Sequence, residues 1–248
     1  MKILINGIEI EAQPGETILE AARRTGIHIP TLCYHEAFGG QGSCRFCMVE
    51  VTKNGFSRVV ASCTYPVSDG IEVKTSTPQI DKIRRNIAML LYKRAPNSLF
   101  MQTLYKEHLC TENNLVEDPH EKCILCRLCV NACASVGASA ISTVMRGTDK
   151  RVATPYDDAS AVCIGCAACA EVCPTGCIEV QEENNIRRIW NRDFVMVACE
   201  DCGKKFATRE QLAYVIDKSK IDSPEGELQL CENCRRKVLA RKLETFNG

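Results

Sequence analysis

The amino-acid sequence predicts an α+β chain built from several small units held by metal rather than by one large core. Three observations lead there. Cysteine supplies 18 of the 248 residues, and 16 of those 18 fall into four sets of four. Short alternating apolar runs around Asn-Gly turns fill the N-terminal stretch, and longer runs with helical spacing follow. Aromatic residues make up only 6% of the chain, so apolar burial alone is a weak source of stability and bound metal must supply much of it.

The first unit reads as β-rich. Lys2–Asn6 and Ile8–Ala12 are short apolar strands around Asn6-Gly7, a dipeptide suited to a type I′ hairpin. Pro14-Gly15 breaks the chain. Glu16–Thr25 then has helical spacing, with Ile18, Leu19 and Ala22 on one face and Gly26 as its stop. Cys47–Lys53 and Phe56–Ser62 alternate as strands joined near Asn54-Gly55, and Ile71–Lys74 is a last short strand. Residues 77–110 are expected to be helical: Thr77 is a good N-cap, Pro78 suits the first helical position, and Ile80, Ile83, Ile87, Leu90 and Leu91 form one apolar stripe. Ala95-Pro96-Asn97 ends that helix, and Ser98 starts another through His108. Toward the C-terminus Phe194–Ala198 is a strand, Thr208-x2-Gln211 opens a helix through Lys218, and a basic helix runs from about Glu232 to Leu243.

The chemistry lies in the cysteines. Cys123-x2-Cys126-x2-Cys129-x3-Cys133 and Cys163-x2-Cys166-x2-Cys169-x3-Cys173-Pro174 repeat one spacing 40 positions apart, and that spacing wraps a [4Fe–4S] cubane. Thiolate sulfur is soft and electron-donating, which suits iron. Three closely spaced sulfurs serve one cube, while the fourth cysteine starts a helix leading away and reaches the other cluster. One cubane is therefore assigned to Cys123, Cys126, Cys129 and Cys173, and the other to Cys163, Cys166, Cys169 and Cys133. Disulfides fit poorly, because the N-terminus MKILINGIEIEAQPGET has neither the basic start nor the apolar run of a secretory signal. A pair of zinc sites fits poorly as well, since the final Cys-Pro rhythm is not their usual form. The insertion Ser142–Ala161, with Arg146, Lys150 and Arg151, reads as a solvated loop. Cys110 and Cys177 read as buried or partly buried thiols, with an alternative cluster ligand as the other reading of Cys177.

Composition excludes several classes of function. Acidic and basic residues balance at 31 each, and four thiolate-bound metal centres would carry the holoprotein to about −8. That gives no support for nucleic-acid binding. No apolar stretch is long enough to span a bilayer, so a cytoplasmic protein without direct membrane insertion is expected. No G-x-G-x-x-G follows a strand, and no Ser/His/Asp or H-E-x-x-H constellation is present. His28, His35, His108 and His120 are scattered; His35 lies beside Tyr34 and Cys33, close to a candidate ligand.

Cys33, Cys44, Cys47 and Cys63 have the spacing C-x10-C-x2-C-x15-C, which by itself makes a fair [2Fe–2S] candidate. Their surroundings are more specific. Ile29-Pro30-Thr31-Leu32-Cys33-Tyr34-His35 and Gly42-Ser43-Cys44-Arg45-Phe46-Cys47-Met48-Val49-Glu50 resemble the [2Fe–2S] domain that opens the large iron–sulfur subunit of respiratory complex I. The same domain opens many [FeFe] hydrogenases and the small iron–sulfur (diaphorase) subunit of NAD(P)-linked [NiFe] hydrogenases and formate dehydrogenases. The resemblance covers roughly residues 1–185. It implies a β-grasp ferredoxin fold with Cys33, Cys44, Cys47 and Cys63 as [2Fe–2S] ligands. Small residues Gly39, Gly40, Gly42 and Ser43 would then let backbone N–H groups approach the bridging sulfides. Two departures stand out. The relatives hold a further cubane with His-x3-Cys-x2-Cys-x5-Cys, where this chain offers only His108 and Cys110 at another spacing, so that cluster is expected to be missing. Nothing in these 248 residues resembles the catalytic domain of [FeFe] hydrogenases or the molybdopterin domain of the complex I relative, and both are expected to be missing.

Cys199-x2-Cys202-Gly203-x2-Phe206 and Cys231-x2-Cys234 suit a tetrahedral Zn²⁺ built from two knuckles, with a third [4Fe–4S] cluster as the alternative. Arg235, Arg236, Lys237, Arg241 and Lys242 nearby suggest a nucleic-acid contact, but no aromatic stacking platform accompanies them, and they read as a solvated helix face or a docking surface. The expected layout is a β-grasp [2Fe–2S] domain at 1–76, a helical linker at 77–114, a two-cluster [4Fe–4S] ferredoxin domain at 115–190 and a zinc-ribbon-like four-Cys unit at 194–248. The expected cofactors are one [2Fe–2S], two [4Fe–4S] and one Zn²⁺. What the resemblance implies is a non-catalytic electron-transfer subunit. Its partners would be a flavin/NAD(P)H-binding subunit and a hydrogenase or formate dehydrogenase catalytic subunit. Some such complexes bifurcate electrons and use ferredoxin too. The alternative is a free soluble polyferredoxin.

Overall fold

Asn6 and Gly7 take φ of 52° and 81°, the left-handed pair that turns a two-residue hairpin with the natural strand twist. They join β1 (Lys2–Ile5) to β2 (Ile8–Glu11) in antiparallel register. Asn54 and Gly55 repeat the device at φ of 51° and 81°, between β5 (Met48–Lys53) and β6 (Phe56–Ala61). A short β3 (Tyr34–His35) pairs with β4 (Gly39–Gly40), and β7 (Glu72–Lys74) enters the main sheet. The five-stranded order is β2-β1-β7-β5-β6, with β1 and β7 parallel and the other neighbours antiparallel. The computed structural model describes residues 1–108, 110, 116–219 and 229–246; positions 109 and 111–114 of the expected 77–114 linker, the first position of the expected 115–190 domain, and residues 220–228 ahead of the last cysteine pair lie outside them.

Helix α1 (Ile18–Arg24) covers the sheet. Thr17 Oγ1 accepts from the Glu20 N–H at 3.3 Å, and the Glu20 carboxylate accepts from the Thr17 N–H at 2.8 Å. This reciprocal cap starts the helix two residues later than the hydrophobic pattern implies. Ile18, Leu19, Ala21 and Ala22 then pack with Ile3, Ile5, Val49 and Val73 in one buried core.

Two helices follow: α2 (Pro78–Arg94) begins at the Thr77 cap with Pro78 at the first turn, and α3 (Leu99–Glu107) begins after Ser98. The expected apolar stripe on α2 is corrected in one respect. Its most buried line is Ile80, Arg84 and Ala88, and Leu90 is exposed. The face that turns inward carries a guanidinium because backbone carbonyls wait for it there. Helix α4 (Leu128–Val136) carries Cys129 and Cys133.

The chain divides into two units, one of Met1–Asn131 with Cys173–Cys177 and one of Ala132–Val172 with Ile178–Gly248. In the second, residues 142–161 are more ordered than a solvated loop. They form the hairpin β8 (Ser142–Val144) and β9 (Arg151–Ala153), and Arg151 pairs with Asp157. After the short α5 (Ala168–Glu171) come β10 (Gln181–Glu183), β11 (Ile186–Ile189), β12 (Arg192–Ala198) and β13 (Lys205–Thr208), an antiparallel sheet in chain order. Asn184 and Asn185, at φ of 49° and 67°, make the first of its turns. Helices α6 (Arg209–Ser219) and α7 (Glu232–Phe246) complete the unit. Among the described residues no helix is long and apolar enough to cross a membrane.

Candidate metal centres

In the first unit, Cys33, Cys47 and Cys63 are buried and Cys44 is half-buried. They meet as two pairs. The Cys44 thiol donates to Cys33 and pulls it down to about 5, and the Cys63 thiol donates to Cys47 and pulls it down to about 6; Cys44 and Cys63 are pushed up in turn. The loop holding them is tightly wound. Arg45 is left-handed at φ 59°, and the Phe46 N–H donates to Cys44 Sγ at 3.4 Å. The Cys44 N–H reaches Cys33 Sγ at 3.5 Å. Gly40 lies so near Cys63 that an added Cβ would sit 2.5 Å from its carbonyl oxygen. His35 is engaged with its own loop, accepting from the Ala37 N–H at 3.1 Å and stacking on Phe38.

Helix α2 ties this loop and the next from two arginines. Arg84 donates to the carbonyls of Phe46 at 3.1 Å and Met48 at 2.9 Å, on either side of Cys47. Arg94 donates to the Cys123 carbonyl at 2.9 Å and pairs with Glu121 at 3.2 Å. Gln41 joins the two loops directly, its Nε2 donating to the carbonyls of Cys33 at 3.5 Å and Cys126 at 3.2 Å. None of these three side chains is singled out by spacing, and a hydrophobic pattern counts all three as polar, so nothing in the sequence marks Arg84 as buried.

The two cysteine runs share a backbone path. Leu125 and Arg127 in the first run, and Gly165 and Ala167 in the second, are all left-handed, at φ of 54°, 63°, 67° and 62°. The left-handed residues fall at matching places, between the first and second and between the second and third cysteines of each run. Non-glycine residues hold such a conformation only where their surroundings enforce it. Cys173 belongs to the same unit as Cys123, Cys126 and Cys129. Burial pushes the Cys126 thiol up to about 11, with Cys173, Cys123 and Cys33 adding to the effect. Cys177 lies at the edge of this group: its N–H donates to Cys173 Sγ at 3.3 Å, and its thiol donates to Cys123, lowering that group to about 7.

In the second unit Cys133, Cys163, Cys166 and Cys169 line one cavity. Burial pushes Cys169 up to about 11, against a hydrogen bond from Trp190 that lowers it, while Cys166, Cys133 and Cys163 raise it further. The chain beyond the run grips this loop. Arg187 donates to the Gly165 carbonyl at 2.8 Å, Thr208 to that of Ile164 at 2.5 Å, and Arg192 to those of Ser160, Ala161 and Cys163 at 2.9 Å each. Thr208 also caps α6, accepting from the Gln211 N–H at 3.0 Å.

The thiols of Cys199, Cys202, Cys231 and Cys234 all lie within 4.8 Å of one another, with Cys202 and Cys231 at 3.7 Å. The Cys231 N–H donates to Cys199 Sγ at 3.2 Å and is the chief reason that thiol is lowered to about 6. Phe206 and Leu230 pack over the group. On α7 Arg236 pairs with Glu232, and the Arg235 guanidinium turns back to the Leu230 carbonyl. His108 and Cys110 join no set: His108 packs edge-on against Phe46, and Cys110 Sγ faces the Arg85 carbonyl at 3.4 Å.

Every donor in these four sets is a thiol, the chemistry that holds iron–sulfur clusters and structural zinc. The fold and its sites therefore define an α+β iron–sulfur protein with a 2Fe–2S ferredoxin domain and a separate four-Cys centre. Residues 1–78 match the family described as "2Fe-2S iron-sulfur cluster binding domain". The chain is 32% identical to an NADH-quinone oxidoreductase subunit of Rhizobium meliloti (strain 1021), over 82% of its own length and 27% of that protein. It is 32% identical to the NADP-reducing hydrogenase subunit HndD of Solidesulfovibrio fructosivorans, over 73% of its length and 36% of that protein. Among solved structures, a chain of an NAD+-reducing [NiFe]-hydrogenase in the H2-reduced state superposes with a TM-score of 0.61 at 29% identity, covering 71% of this chain and 85% of that one. The resemblance carried by the motifs around Cys33 and Cys44 thus holds. The chain spans about a quarter to a third of the length of the first curated relatives it matches.

Proposed function

We propose that this chain is an electron-transfer iron–sulfur subunit of a multisubunit NAD(P)-linked oxidoreductase of the hydrogenase or formate dehydrogenase type, with the cytoplasm as its compartment. Its partners are a flavin/NAD(P)H-binding subunit and a catalytic subunit, with ferredoxin as a further donor or acceptor where electrons are bifurcated. The observation that carries the reading is Gln41, whose one amide reaches the carbonyls of both Cys33 and Cys126. Two thiol sets are thereby held within one side chain of each other, the closeness that a relay needs. The names of the relatives, each a subunit of a larger oxidoreductase or hydrogenase, weigh against a free polyferredoxin.

In this reading Cys33, Cys44, Cys47 and Cys63 hold the [2Fe–2S]; their pairing two by two suits two irons, and the mixed sheet with α1 on its face supports a β-grasp fold. Cys123, Cys126, Cys129 and Cys173 hold one cubane, and Cys163, Cys166, Cys169 and Cys133 the other; the division of these residues between the two units supports the crossed sets. The clusters supply one-electron storage. The protein's part is to hold the thiols, exclude water and set the charge around them. For Cys199, Cys202, Cys231 and Cys234 zinc is favoured. Zn–S bonds of about 2.3 Å put tetrahedral sulfurs about 3.8 Å apart, close to the 3.7 Å of Cys202 and Cys231. A cubane would place an iron behind each sulfur and spread them farther.

Anaerobically isolated protein should contain about ten Fe and one Zn and show iron–sulfur EPR signals after dithionite. It should turn over neither H2, formate nor NADH alone, and should co-purify from native cells with a flavin subunit. Robust NADH:dye activity of the isolated chain, or no paramagnetic iron on reduction, overturns the proposal.

A further inference from the structure

Trp190, the single tryptophan of the chain, stands in the turn between β11 and β12 with φ of 52°. Its indole Nε1 donates to Cys169 Sγ at 3.4 Å. The turn is fastened to the cysteine loop from both sides. Arg187 precedes it and Arg192 follows it, and together they donate to four carbonyls of residues 160–165. Below them the ring of Phe194 fills the space beside Gly165, where an added Cβ would lie 2.6 Å from the ring. The indole therefore has little freedom to leave the sulfur.

We propose that Trp190 is a positioning residue for the centre held by Cys133, Cys163, Cys166 and Cys169, and that its N–H bond to Cys169 raises the reduction potential of that centre. The inference rests on the cubane reading of those four thiols. An added electron increases the negative charge on the thiolate sulfurs, so a donor aimed at one of them binds the reduced form more strongly than the oxidised form. Arg187 is paired with Glu182 at 2.6 Å and Arg192 faces Glu210 at 3.9 Å, so these two side chains hold the loop in place while the indole N–H supplies the donor to sulfur. The C-terminal sheet is thus part of the second cluster's own environment and not merely a neighbour to it.

Because the chain has one tryptophan, ¹⁵N-indole labelling marks this residue alone. Pulsed EPR of the labelled, dithionite-reduced full chain should show a ¹⁵N coupling to one cubane. Its absence while both cubane signals are present overturns the proposal. In a redox titration Trp190→Phe should keep the wild-type iron content and shift one wave about tenfold toward the oxidised form, which is about 59 mV for one electron. The other two waves should stay in place. Superimposable titrations, or a common shift of all three waves, also overturn it. A Cys169→Ala chain that retains both cubane signals would instead show that the ligand reading is at fault, and the inference falls with it.

Discussion

The Arg84 guanidinium donates to the Phe46 carbonyl across 38 positions of sequence, at 3.1 Å, and so holds a buried positive charge one residue from Cys47. Burial lowers its pKa, with Asp81 and Cys47 acting the other way. A cluster bound at Cys47 gains negative charge on reduction, which the guanidinium favours. Arg84→Met should therefore lower the midpoint of the [2Fe–2S] signal in a redox titration. It should also cost about 1–3 kcal/mol for each carbonyl left without a donor, read as reduced thermal stability. Arg84→Lys should restore most of the potential but only part of the stability, since an ammonium cannot span both carbonyls as a guanidinium does.

Gly40→Ala should remove one centre and leave the others. The new Cβ would lie 2.5 Å from the Cys63 oxygen and 2.6 Å from its Cβ, and a backbone carbonyl has little room to retreat. Metal analysis should show about two Fe lost from about ten, with the cubane signals intact. A full iron complement would show that the loop relaxes instead.

Gln41→Leu removes the hydrogen bond to the Cys126 carbonyl that joins the two loops, and the one to the Cys33 carbonyl within its own loop, which are together a matter of about 1–3 kcal/mol. Iron content should be unchanged and the thermal midpoint slightly lower. Magnetic interaction between the two reduced centres, seen as splitting or faster spin relaxation in EPR, should weaken. An unaltered spectrum would mean that Gln41 has no part in setting their approach.

A zinc chelator should extract one metal per chain and no iron, with loss of helical signal from the C-terminal segment, because structural zinc binding is folding free energy there. Cys231→Ser should do the same without a chelator. Loss of about four Fe in either experiment would assign a third cubane to these thiols.

The carboxylate of Glu16 accepts from Arg24 Nε at 2.9 Å and from the Gln13 N–H at 2.9 Å, and its pKa lies below the ordinary 4.5, chiefly through the Arg24 hydrogen bond. A depressed carboxylate contributes stability above its unfolded pKa and loses it as the pH falls through the folded one. In chemical denaturation, the gap between wild type and Glu16→Gln should be full at neutral pH, shrink below about pH 4.5 and close under the folded value. A gap that persists in strong acid would mean that the pair contributes through packing, not charge.

Local features are legible in the chain itself. Asn6-Gly7 and Asn54-Gly55 foretell their hairpins, and Thr77-Pro78 foretells the start of α2, because each depends on the backbone of two or three consecutive residues. Thr17 and Glu20 form a capping box that the apolar pattern of α1 conceals. The strands β10 and β11 escape a sequence reading because Gln181–Glu183 carries no apolar signal and its residues stay exposed. The stripe on α2 misleads because a hydrophobic pattern counts Arg84 as polar, whereas the carbonyls of Phe46 and Met48 make an interior place for it.

By itself the sequence determined what kinds of atoms each site would present. Cysteine spacing is a covalent constraint, and a run such as Cys163-x2-Cys166-x2-Cys169 allows few ways to wind three sulfurs inward. Tertiary structure alone decided what surrounds those sulfurs. Gln41 meets Cys126 across 85 positions, Thr208 meets Ile164 across 44, and Trp190 meets Cys169 across 21. Such partners are selected by which faces pack together and which carbonyls would otherwise be left without a donor, and no short-range pattern in the chain records that choice.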